Sequence, residues 1–350
     1  MKKRRVQLVG AMLVILLLTL AACGGGDDGD QDTQGGSGED SGSVEKVSLR
    51  WNYIFDGTAS PFFYADSQGL YEDAGFDVRI LPGRGSLIAA QTVATGRDDY
   101  AIITADAAIQ VITAGGNLQI TAALQRSHPA ALIHKTDIEI ETLQDLVDEE
   151  AVLISGAGSS YHQALFGIMA EAGIPKDSVE IQYVDFAAFA ASYRTVDRAA
   201  VVGGIDSEPA AYREFDPDVQ AISLTDLGLN MYGNVLVTQA TRIQEDPEGV
   251  RAFTGAILEG WTTAMEDPEA AAAAMVEANP DLKGSADTPA GQESLEVALS
   301  LFESPSDPSA PIGRIVDSDF AEMVDFLSNY MGLEDPLDPE AYYTNEFVPE

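Results

Sequence analysis

Residues 151–172 read AVLISGAGSSYHQALFGIMAEA, and this stretch decides the fold class. The first five residues are mostly apolar and predict a strand, the next five form a glycine- and serine-rich turn, and residues 161–172 read as a helix. The stretch 77–95, DVRILPGRGSLIAAQTVAT, has the same order about 74 residues earlier. A strand, a glycine turn and a helix in this order are typical of α/β proteins, whose helices connect parallel strands.

The same alternation continues from residue 47 onward. Ten short apolar or β-branched runs, most of them separated by helical segments, predict an α/β fold with mostly parallel strands flanked by helices. At about 300 ordered residues and 45% hydrophobic content, the chain is long enough for two lobes with cores of their own. The predicted strands are 47–53, 77–81, 100–104, 120–124, 131–134, 151–155, 179–184, 199–203, 219–223 and 234–238.

The two glycine turns also predict a ligand site. Glycine lets the backbone come close to a ligand, and the free N–H groups at a helix start attract hydrogen-bond acceptors. Each turn would lie at the carboxyl end of parallel strands, where ligands bind in open α/β folds. If the two halves face each other, both helix starts point into one cleft, with Ser86 on one side and Ser160 on the other.

Other helices have clear start signals. Three capping side chains stand directly before a proline, which is favoured in the first helical turn, at Ser60-Pro61, Asp246-Pro247 and Asp267-Pro268. From Pro247 to about Met265, apolar residues recur at helical spacing. Trp261 lies on that apolar stripe, so we expect it in the core rather than in a ligand site.

The N-terminal segment predicts export. Four basic residues precede a 15-residue apolar run, 6–20, which is shorter than the roughly 20 residues that a membrane-spanning helix needs. The ending LAAC at 20–23 resembles the lipobox of bacterial lipoproteins. This resemblance implies that residues 1–22 are a signal peptide and that Cys23 becomes the lipid-carrying N-terminus, anchored to a membrane. The alternative is a transmembrane helix with an inert thiol. Residues 23–46 are rich in Gly and Asp and predict a flexible tether.

The charge of the chain excludes some functions. Without the four basic residues at the N-terminus, 15 basic residues stand against 57 acidic ones. Nucleic acid is therefore not an expected partner, because a polyanion must be neutralised by basic side chains. The chain has one cysteine, so it forms no internal disulfide, and its three scattered histidines suggest no metal site. No motif calls for a cofactor or marks a catalytic residue.

Several segments in sequence order carry a family resemblance. They are WNY (51–53), SPFFYA (60–65), GLYEDAGFDV (69–78), GRGS (83–86) with VATGRDDY (93–100), YGNVLV (232–237) and GWTTAMEDPEAA (260–271). Together they resemble one branch of the solute-binding proteins of ABC transporters, the branch that takes up sulfonates, taurine, nitrate and the pyrimidine precursors of thiamine. The resemblance spans about residues 47–285.

The resemblance implies a two-lobe, type II periplasmic-binding-protein fold whose chain crosses twice between the lobes. Lobe 1 would comprise 47–127 and 235–350, and lobe 2 would comprise 128–234. It further implies a monomer that closes on a small-molecule ligand and delivers it to an ABC permease and its ATPase, without covalent chemistry. A ligand-sensing receptor lipoprotein of the same fold is an alternative. A pyrimidine-synthesising enzyme is another, although such enzymes use a cysteine-rich motif and this chain has no cysteine after Cys23.

Candidate ligand contacts are the residues at strand ends and glycine turns that would face the cleft. Aromatic residues among them would sandwich a planar heterocycle, and Asp206 and Glu208 would accept hydrogen bonds from its amino groups. Arg84 would instead pair with a sulfonate or nitrate, so its position discriminates between the two ligand classes. The candidates are Trp51, Asn52, Tyr53, Arg84, Gly85, Ser86 and Asp106 in lobe 1, and Gly158, Ser159, Ser160, Tyr161, Asp206 and Glu208 in lobe 2.

Overall fold

Ten strands form two sheets of five. The computed structural model describes residues 44–157, 159–284, 286–303 and 307–349. In this part of the chain all ten predicted strands are present, with ends within two residues of the predicted ones. The strands are β1 (Glu45–Trp51), β2 (Phe76–Leu81), β3 (Tyr100–Thr104), β4 (Gln119–Ala123), β5 (Ala130–His134), β6 (Val152–Gly156), β7 (Glu180–Val184), β8 (Ala199–Gly204), β9 (Gln220–Ser223) and β10 (Asn234–Thr238).

Helices lie between most of the strands and fill the C-terminal part of the chain. Within the described ranges they are α1 (Ser60–Ser67), α2 (Leu70–Asp73), α3 (Ser86–Ala94), α4 (Ala105–Thr113), α5 (Asp145–Asp148), α6 (Tyr161–Glu171), α7 (Phe189–Thr195), α8 (Glu208–Arg213), α9 (Ala240–Glu245), α10 (Pro247–Glu266), α11 (Pro268–Ala278), α12 (Pro289–Ser300) and α13 (Asp317–Tyr330). None of the helices in these ranges is long and apolar enough to cross a membrane.

Each sheet contains four strands that run in one direction and one that runs the opposite way. Sheet 1 has the order β2-β1-β3-β10-β4, with β10 antiparallel to both of its neighbours. Sheet 2 has the order β7-β6-β8-β5-β9, with β5 antiparallel to both of its neighbours. The predicted α/β class with mostly parallel strand directions is confirmed, and both sheets are mixed. We call the body around sheet 1 lobe 1 and the body around sheet 2 lobe 2.

The odd strand in each sheet is explained by the path of the chain between the lobes. Residues 124–129 lead from β4 in sheet 1 to β5 in sheet 2, and residues 224–233 lead back from β9 to β10. The two crossing segments are hydrogen-bonded to each other. The N–H of Gly233 donates to the carbonyl of Gln125 at 3.0 Å, and the N–H of Leu124 donates to the carbonyl of Asn234 at 2.9 Å. The two crossing segments therefore form one hydrogen-bonded connection between the lobes.

Aromatic side chains form much of the core of lobe 1. Trp261 on α10 is fully buried and lies 6.0 Å, between ring centroids, from Phe62 on α1. Phe253 stacks on Tyr100 of β3 at 3.8 Å. Burying each such side chain contributes about 1.5–3 kcal/mol of free energy relative to leaving it exposed. The prediction that Trp261 belongs to the core is confirmed.

Two of the three predicted helix caps are present. The side chain of Asp246 accepts a hydrogen bond from the N–H of Gly249, and that of Asp267 accepts one from the N–H of Ala270, both at 3.0 Å. The prediction for Ser60 is wrong. Ser60 is the first residue of α1, is fully buried and directs its Oγ to the sulfur of Met275. The side-chain cap in this region is one turn earlier, where Asp56 accepts from the N–H of Thr58.

The signal peptide, Cys23 and all of the predicted tether except its last three residues lie outside the described residues. The end of the tether at residue 46 is set too late. Glu45 and Lys46 pair with Phe76 and Asp77 in the β1–β2 ladder, so they belong to sheet 1.

The C-terminal helix α13 connects the two lobes by packing. The resemblance assigns it to lobe 1, and it also packs against α6 of lobe 2. The side chains of Phe326 and Met331 lie so close to Gly167 on α6 that a Cβ atom there would approach Met331 to 2.8 Å and Phe326 to 3.0 Å. None of these three residues lines the cavity described below.

Candidate ligand-binding cavity

A cavity lies between the lobes at the ends of the strands. We call it the inner cavity, and its empty volume, which includes space open to solvent, is about 520 Å³. It brings together ten of the twelve described candidates, which come from the ends of β1 and β8 and from the starts of α3 and α6. These ten are Trp51, Asn52, Tyr53, Gly85, Ser86, Ser159, Ser160, Tyr161, Asp206 and Glu208. Gly158 lies outside the described residues.

Ser86 is the polar centre of the lobe 1 side. Its Oγ accepts hydrogen bonds from Nδ2 of Asn52 and from the backbone N–H of Thr104, both at 3.1 Å. Asn52 also donates to Oδ1 of Asn234 at 2.8 Å. Because Ser86 uses Oγ as an acceptor in both bonds, its hydroxyl hydrogen is left to donate to a ligand. The turn before it needs Gly85, whose φ of +112° is strained for any residue with a Cβ atom.

The glycine turn of lobe 2 is shaped by an aromatic ring. Gly156 packs so closely on the ring of Phe186 that a Cβ atom at this position has no room. The following serines are held in place from both sides of the cavity. Ser159 accepts a hydrogen bond from the N–H of Tyr161 at 3.2 Å, and Oγ of Ser160 lies 3.1 Å from Oγ1 of Thr104 in lobe 1. The pair of Thr104 and Ser160 is therefore a direct contact between the lobes.

Two carboxylates of lobe 2 line the inner cavity. Asp206 is 6% exposed and accepts a hydrogen bond from Nε2 of Gln125 in the first crossing segment at 3.2 Å. Burial, with a smaller contribution from the nearby Asp56 carboxylate, raises the pKa of Asp206 to about 7. Near neutral pH this carboxyl group is therefore partly protonated, so it can donate one hydrogen bond and accept another.

Glu208 has a different environment from Asp206. Its Oε1 accepts a hydrogen bond from the Tyr53 hydroxyl at 3.0 Å, and its Oε2 accepts from the N–H of Gly204 at 2.6 Å and from Oγ of Ser207 at 2.8 Å. The bond from Tyr53 joins lobe 1 to lobe 2. A carboxylate has about four acceptor positions, so Glu208 keeps one for a ligand.

Aromatic rings form the walls of the inner cavity. Tyr53 meets Phe186 edge to face, with 4.9 Å between the ring centroids. Trp51 is 4% exposed, and its Nε1–H has no hydrogen-bond partner in the described part of the chain. Tyr161 packs against His128 of the first crossing segment at 5.2 Å. Such rings present flat apolar faces, and the Trp51 nitrogen adds one unused donor.

Arg84 and Asp106 do not line the cavity. Arg84 is exposed to solvent, although Gly85 and Ser86 beside it line the cavity. Asp106 is fully buried in the first turn of α4. Burial raises the pKa of Asp106. The structure places neither side chain among the residues that line the inner cavity, and their contact with a ligand stays a prediction.

Sequence reasoning missed eight lining residues. Phe186 and Phe189 follow the carboxyl end of β7, so the rule that led to Ser159 would also have found them. Asn234 starts β10, and because β10 runs antiparallel its first residue lies at the same edge as the ends of the other strands. Val202, Gly203, Gly204 and Ser207 lie at the carboxyl end of β8 beside Asp206, so the same rule would have found them, whereas Thr58 lies in a short turn before α1 that no such rule marks. The eight are Thr58, Phe186, Phe189, Val202, Gly203, Gly204, Ser207 and Asn234.

A known protein family matches the part of the chain that forms most of the inner cavity. The profile of the family described as NMT1/THI5 like matches residues 57–271, which is more than half of the chain. The chain belongs to the NMT1/THI5-like family. The match includes β2 to β10 and the inner cavity except for the residues at the end of β1.

Among similar proteins are two curated binding proteins. The riboflavin-binding protein RibY of Chloroflexus aurantiacus is 22% identical over 88% of this chain and 87% of its own length. The formylaminopyrimidine-binding protein of Halalkalibacterium halodurans is 23% identical over 89% of this chain and 93% of its own. Both are named for the small molecules that they bind and not for a reaction.

The fold is shared with solved structures of other binding proteins. The alkanesulfonate-binding protein SsuA from Xanthomonas axonopodis pv. citri, bound to MOPS, superposes with a TM-score of 0.63 at 14% identity. The match covers 85% of this chain and 98% of SsuA. At this identity the likeness shows the two-lobe periplasmic-binding-protein fold for this NMT1/THI5-like chain, and leaves its ligand to be argued from the cavity.

Proposed function

We propose that this protein is an exported, lipid-anchored solute-binding protein of an ABC importer. It captures a planar nitrogen heterocycle that carries an amino group, and delivers it to a permease that is driven by an ATPase. The lipid is carried by Cys23, and residues 23–44 form the tether that keeps the lobes near the permease. The protein acts as a monomer, with lobe 1 formed by 45–127 and 235–350 and lobe 2 by 128–234, and it uses no cofactor.

The observation that carries this proposal is the charge of the inner cavity. Asp206 and Glu208 line it, while no Lys, Arg or His of the described chain does. An anionic ligand such as a sulfonate or nitrate would enter a low-dielectric space beside carboxylates without a counter-charge. Arg84 is the one cationic side chain that the sequence analysis proposes as a partner for an anion, and it is exposed to solvent.

An amino-substituted heterocycle matches the hydrogen-bonding groups of the cavity. The Asp206 carboxyl, when protonated, donates to a ring nitrogen while its other oxygen accepts from the adjacent amino group. The hydroxyl of Ser86 and the Nε1–H of Trp51 are donors for further ring substituents. Tyr53, Tyr161 and Phe186 enclose the ring faces. The curated relatives that bind a formylaminopyrimidine and riboflavin have ligands with planar, nitrogen-containing rings, which supports this class.

A thermal-shift screen followed by calorimetry tests the ligand class. The panel holds 4-amino-5-hydroxymethyl-2-methylpyrimidine, its formylaminomethyl analogue and riboflavin, against nitrate, taurine and ethanesulfonate in a sulfonate-free buffer. A ligand at 100 times its Kd stabilises the folded state by about 2.7 kcal/mol, which raises the Tm by several degrees. We expect this from at least one heterocycle. Stabilisation by the anions alone, or by none of the compounds, contradicts the proposal.

A further inference from the structure

A second cavity adjoins the inner one. We call it the outer cavity, and its empty volume is about 960 Å³. The two cavities share the lining residues Tyr53, Phe186, Phe189, Ser207 and Glu208, so one group of side chains separates them. The far wall is formed by the start of α12. The outer cavity is therefore the space that a ligand in the inner cavity would reach if it extended past Tyr53 and Glu208.

The outer cavity is lined largely by aromatic and small apolar side chains. Phe186 and Phe189 meet edge to face, with 5.5 Å between their ring centroids. Phe55 and Ala190 also line the cavity, and Ile54 beside them is 42% exposed. Such a surface favours a flat or apolar group over a strongly hydrated one.

The charged residues of the outer cavity are all acidic. They are Asp56, Glu208 and Glu214, and none of the described residues that line it is Lys, Arg or His. Burial raises the pKa of Asp56 to about 7, and the Glu208 carboxylate acts in the same direction. A phosphate or carboxylate on the ligand would be repelled here, whereas a cationic ring would be attracted.

One buried polar group in this cavity lacks a partner. Tyr212 on α8 lines the outer cavity and is 3% exposed, and its hydroxyl has no hydrogen-bond partner in the described part of the protein. A buried hydroxyl without a partner is uncommon in folded proteins and costs free energy unless a ligand or water satisfies it. It indicates that the outer cavity receives a polar atom of a ligand as well as an apolar face.

We infer that the ligand has two parts: the amino-substituted heterocycle in the inner cavity, and a second ring, uncharged or cationic and without phosphate, in the outer cavity. This inference rests on the proposed function, because it requires the heterocycle in the inner cavity. The second ring packs on Phe186 and Phe189, faces the carboxylates of Asp56 and Glu208, and offers a polar substituent to Tyr212. The outer cavity thereby selects the unphosphorylated form of the ligand.

Three probes with the same aminopyrimidine test this inference by calorimetry at pH 7. The first is 4-amino-5-hydroxymethyl-2-methylpyrimidine, which has only the first ring. The second is thiamine, which joins that ring to a cationic thiazolium ring. The third is thiamine monophosphate, which adds an anion. We expect thiamine to bind at least tenfold more tightly than the single ring, and the phosphate to weaken binding at least tenfold relative to thiamine.

A matched pair of variants on α7 tests whether the second ring lies in the outer cavity. Ala190→Phe fills the outer cavity, and Ala191→Phe puts the same side chain on an exposed position of the same helix. We expect Ala190→Phe to reduce thiamine affinity to that of the single ring while single-ring affinity stays within twofold. Ala191→Phe should change neither affinity more than twofold. An equal loss for both probes with Ala190→Phe, or no loss for either, overturns the inference.

A charge reversal provides a second test that does not depend on packing. Glu214 is exposed at the outer cavity, and Asp177 is an exposed acid that does not line it. Glu214→Lys should narrow the affinity gap between thiamine and its phosphate at least threefold, and Asp177→Lys should leave the gap unchanged. If both substitutions change the affinity gap equally, the carboxylates of the outer cavity are not what disfavours the phosphate.

The results also separate this inference from the proposed function. If the unaltered protein binds the single ring and thiamine equally well, the two-part ligand is wrong and the proposed function stands. If it binds no heterocycle of either panel, the proposed function fails and this inference fails with it.

Discussion

The hydroxyl of Tyr53 in lobe 1 donates a hydrogen bond to Oε1 of Glu208 in lobe 2 at 3.0 Å. The two residues are 155 positions apart in sequence, and they stand where the inner and outer cavities meet. Thr104 and Ser160 form a second contact between the lobes at 3.1 Å. The lobes are thus in contact across the cleft, as in a closed binding protein. Tyr53 makes one of these contacts and also forms part of the wall between the two cavities.

Tyr53→Phe removes the bond to Glu208 and keeps the ring that packs on Phe186. A hydrogen bond to a charged group contributes about 1.5–3 kcal/mol. We therefore expect a loss of about tenfold or more in ligand affinity, measured by calorimetry, and a larger radius of gyration in solution scattering. Tyr183→Phe is the matched control, since Tyr183 is 51% exposed on β7. An unchanged affinity for Tyr53→Phe would show that the bond does not contribute to closure.

The stability of the unliganded protein should depend on pH through Asp206. Its pKa is about 7 in the folded state, and about 3.9 is usual for an unfolded chain. The folded state then holds a proton that the unfolded state releases, so this contribution to stability is complete below about pH 4 and is lost as the pH rises to about 7. The groups that act on Asp206 are Asp56, Glu208 and Gln125, and Tyr161 is nearby.

Urea unfolding at pH 5 and pH 8 measures this effect. Each unit of pKa shift corresponds to about 1.4 kcal/mol in the free energy of unfolding. Asp206→Asn removes the titrating carboxyl group. We therefore expect the free energy of unfolding to fall between pH 5 and pH 8 by at least about 1 kcal/mol more in the unaltered protein than in the variant. Asp177→Asn, at an exposed position, is the control. Parallel pH profiles for all three proteins would contradict the assignment.

Ser86 and Arg84 should respond differently to truncation although they are two residues apart. Ser86→Ala removes the hydroxyl that faces the inner cavity and leaves the N–H of Thr104 and one hydrogen of Asn52 without an acceptor. We expect about a tenfold loss of heterocycle affinity in calorimetry. Arg84→Ala should change the affinity less than twofold, since Arg84 is exposed. A large loss with Arg84→Ala would point back to an anionic ligand.

Trp261→Ala should strongly destabilise lobe 1. Trp261 is fully buried against Phe62, and a truncation of this kind costs about 3–5 kcal/mol through lost burial and the cavity that remains. Trp261→Phe should cost less, because it keeps an aromatic ring in place. The measurement is the urea midpoint at constant m-value. Equal midpoints for the two variants would contradict tight packing at this position.

Cys23→Ala tests the anchor separately from the cleft. We expect the variant to appear in the soluble fraction of an expressing bacterial host and to lose incorporation of labelled fatty acid, while ligand binding stays as in the unaltered protein. The physical reason is that the anchor we propose consists of acyl chains on the Cys23 thiol, and alanine has no thiol to carry them. Membrane retention without Cys23 would refute the lipid anchor.

Much of the fold could be predicted from the sequence because its signals are local. The predicted bounds of β3 and β10 match the observed ones, and those of the other strands lie within two positions, because each strand is a run of apolar residues bounded by turn residues. Asp246 and Asp267 cap helices through residues three positions away. The cap predicted at Ser60 is instead at Asp56, because the chain makes a short 3-10 turn before α1.

The sequence by itself determined the order of the elements, the crossing between two lobes that the resemblance implied, and the strand ends that supply most of the inner cavity. Tertiary structure alone decided which side chains reach it. It buried Asp106 and left Arg84 in solvent, although both follow strands that end at the cleft. Burial raises the pKa of Asp56 and Asp206, and the nearby carboxylates that the fold brings together add to this effect. Burial and the distance between charges depend on contacts across 150 residues of chain, which no local pattern records.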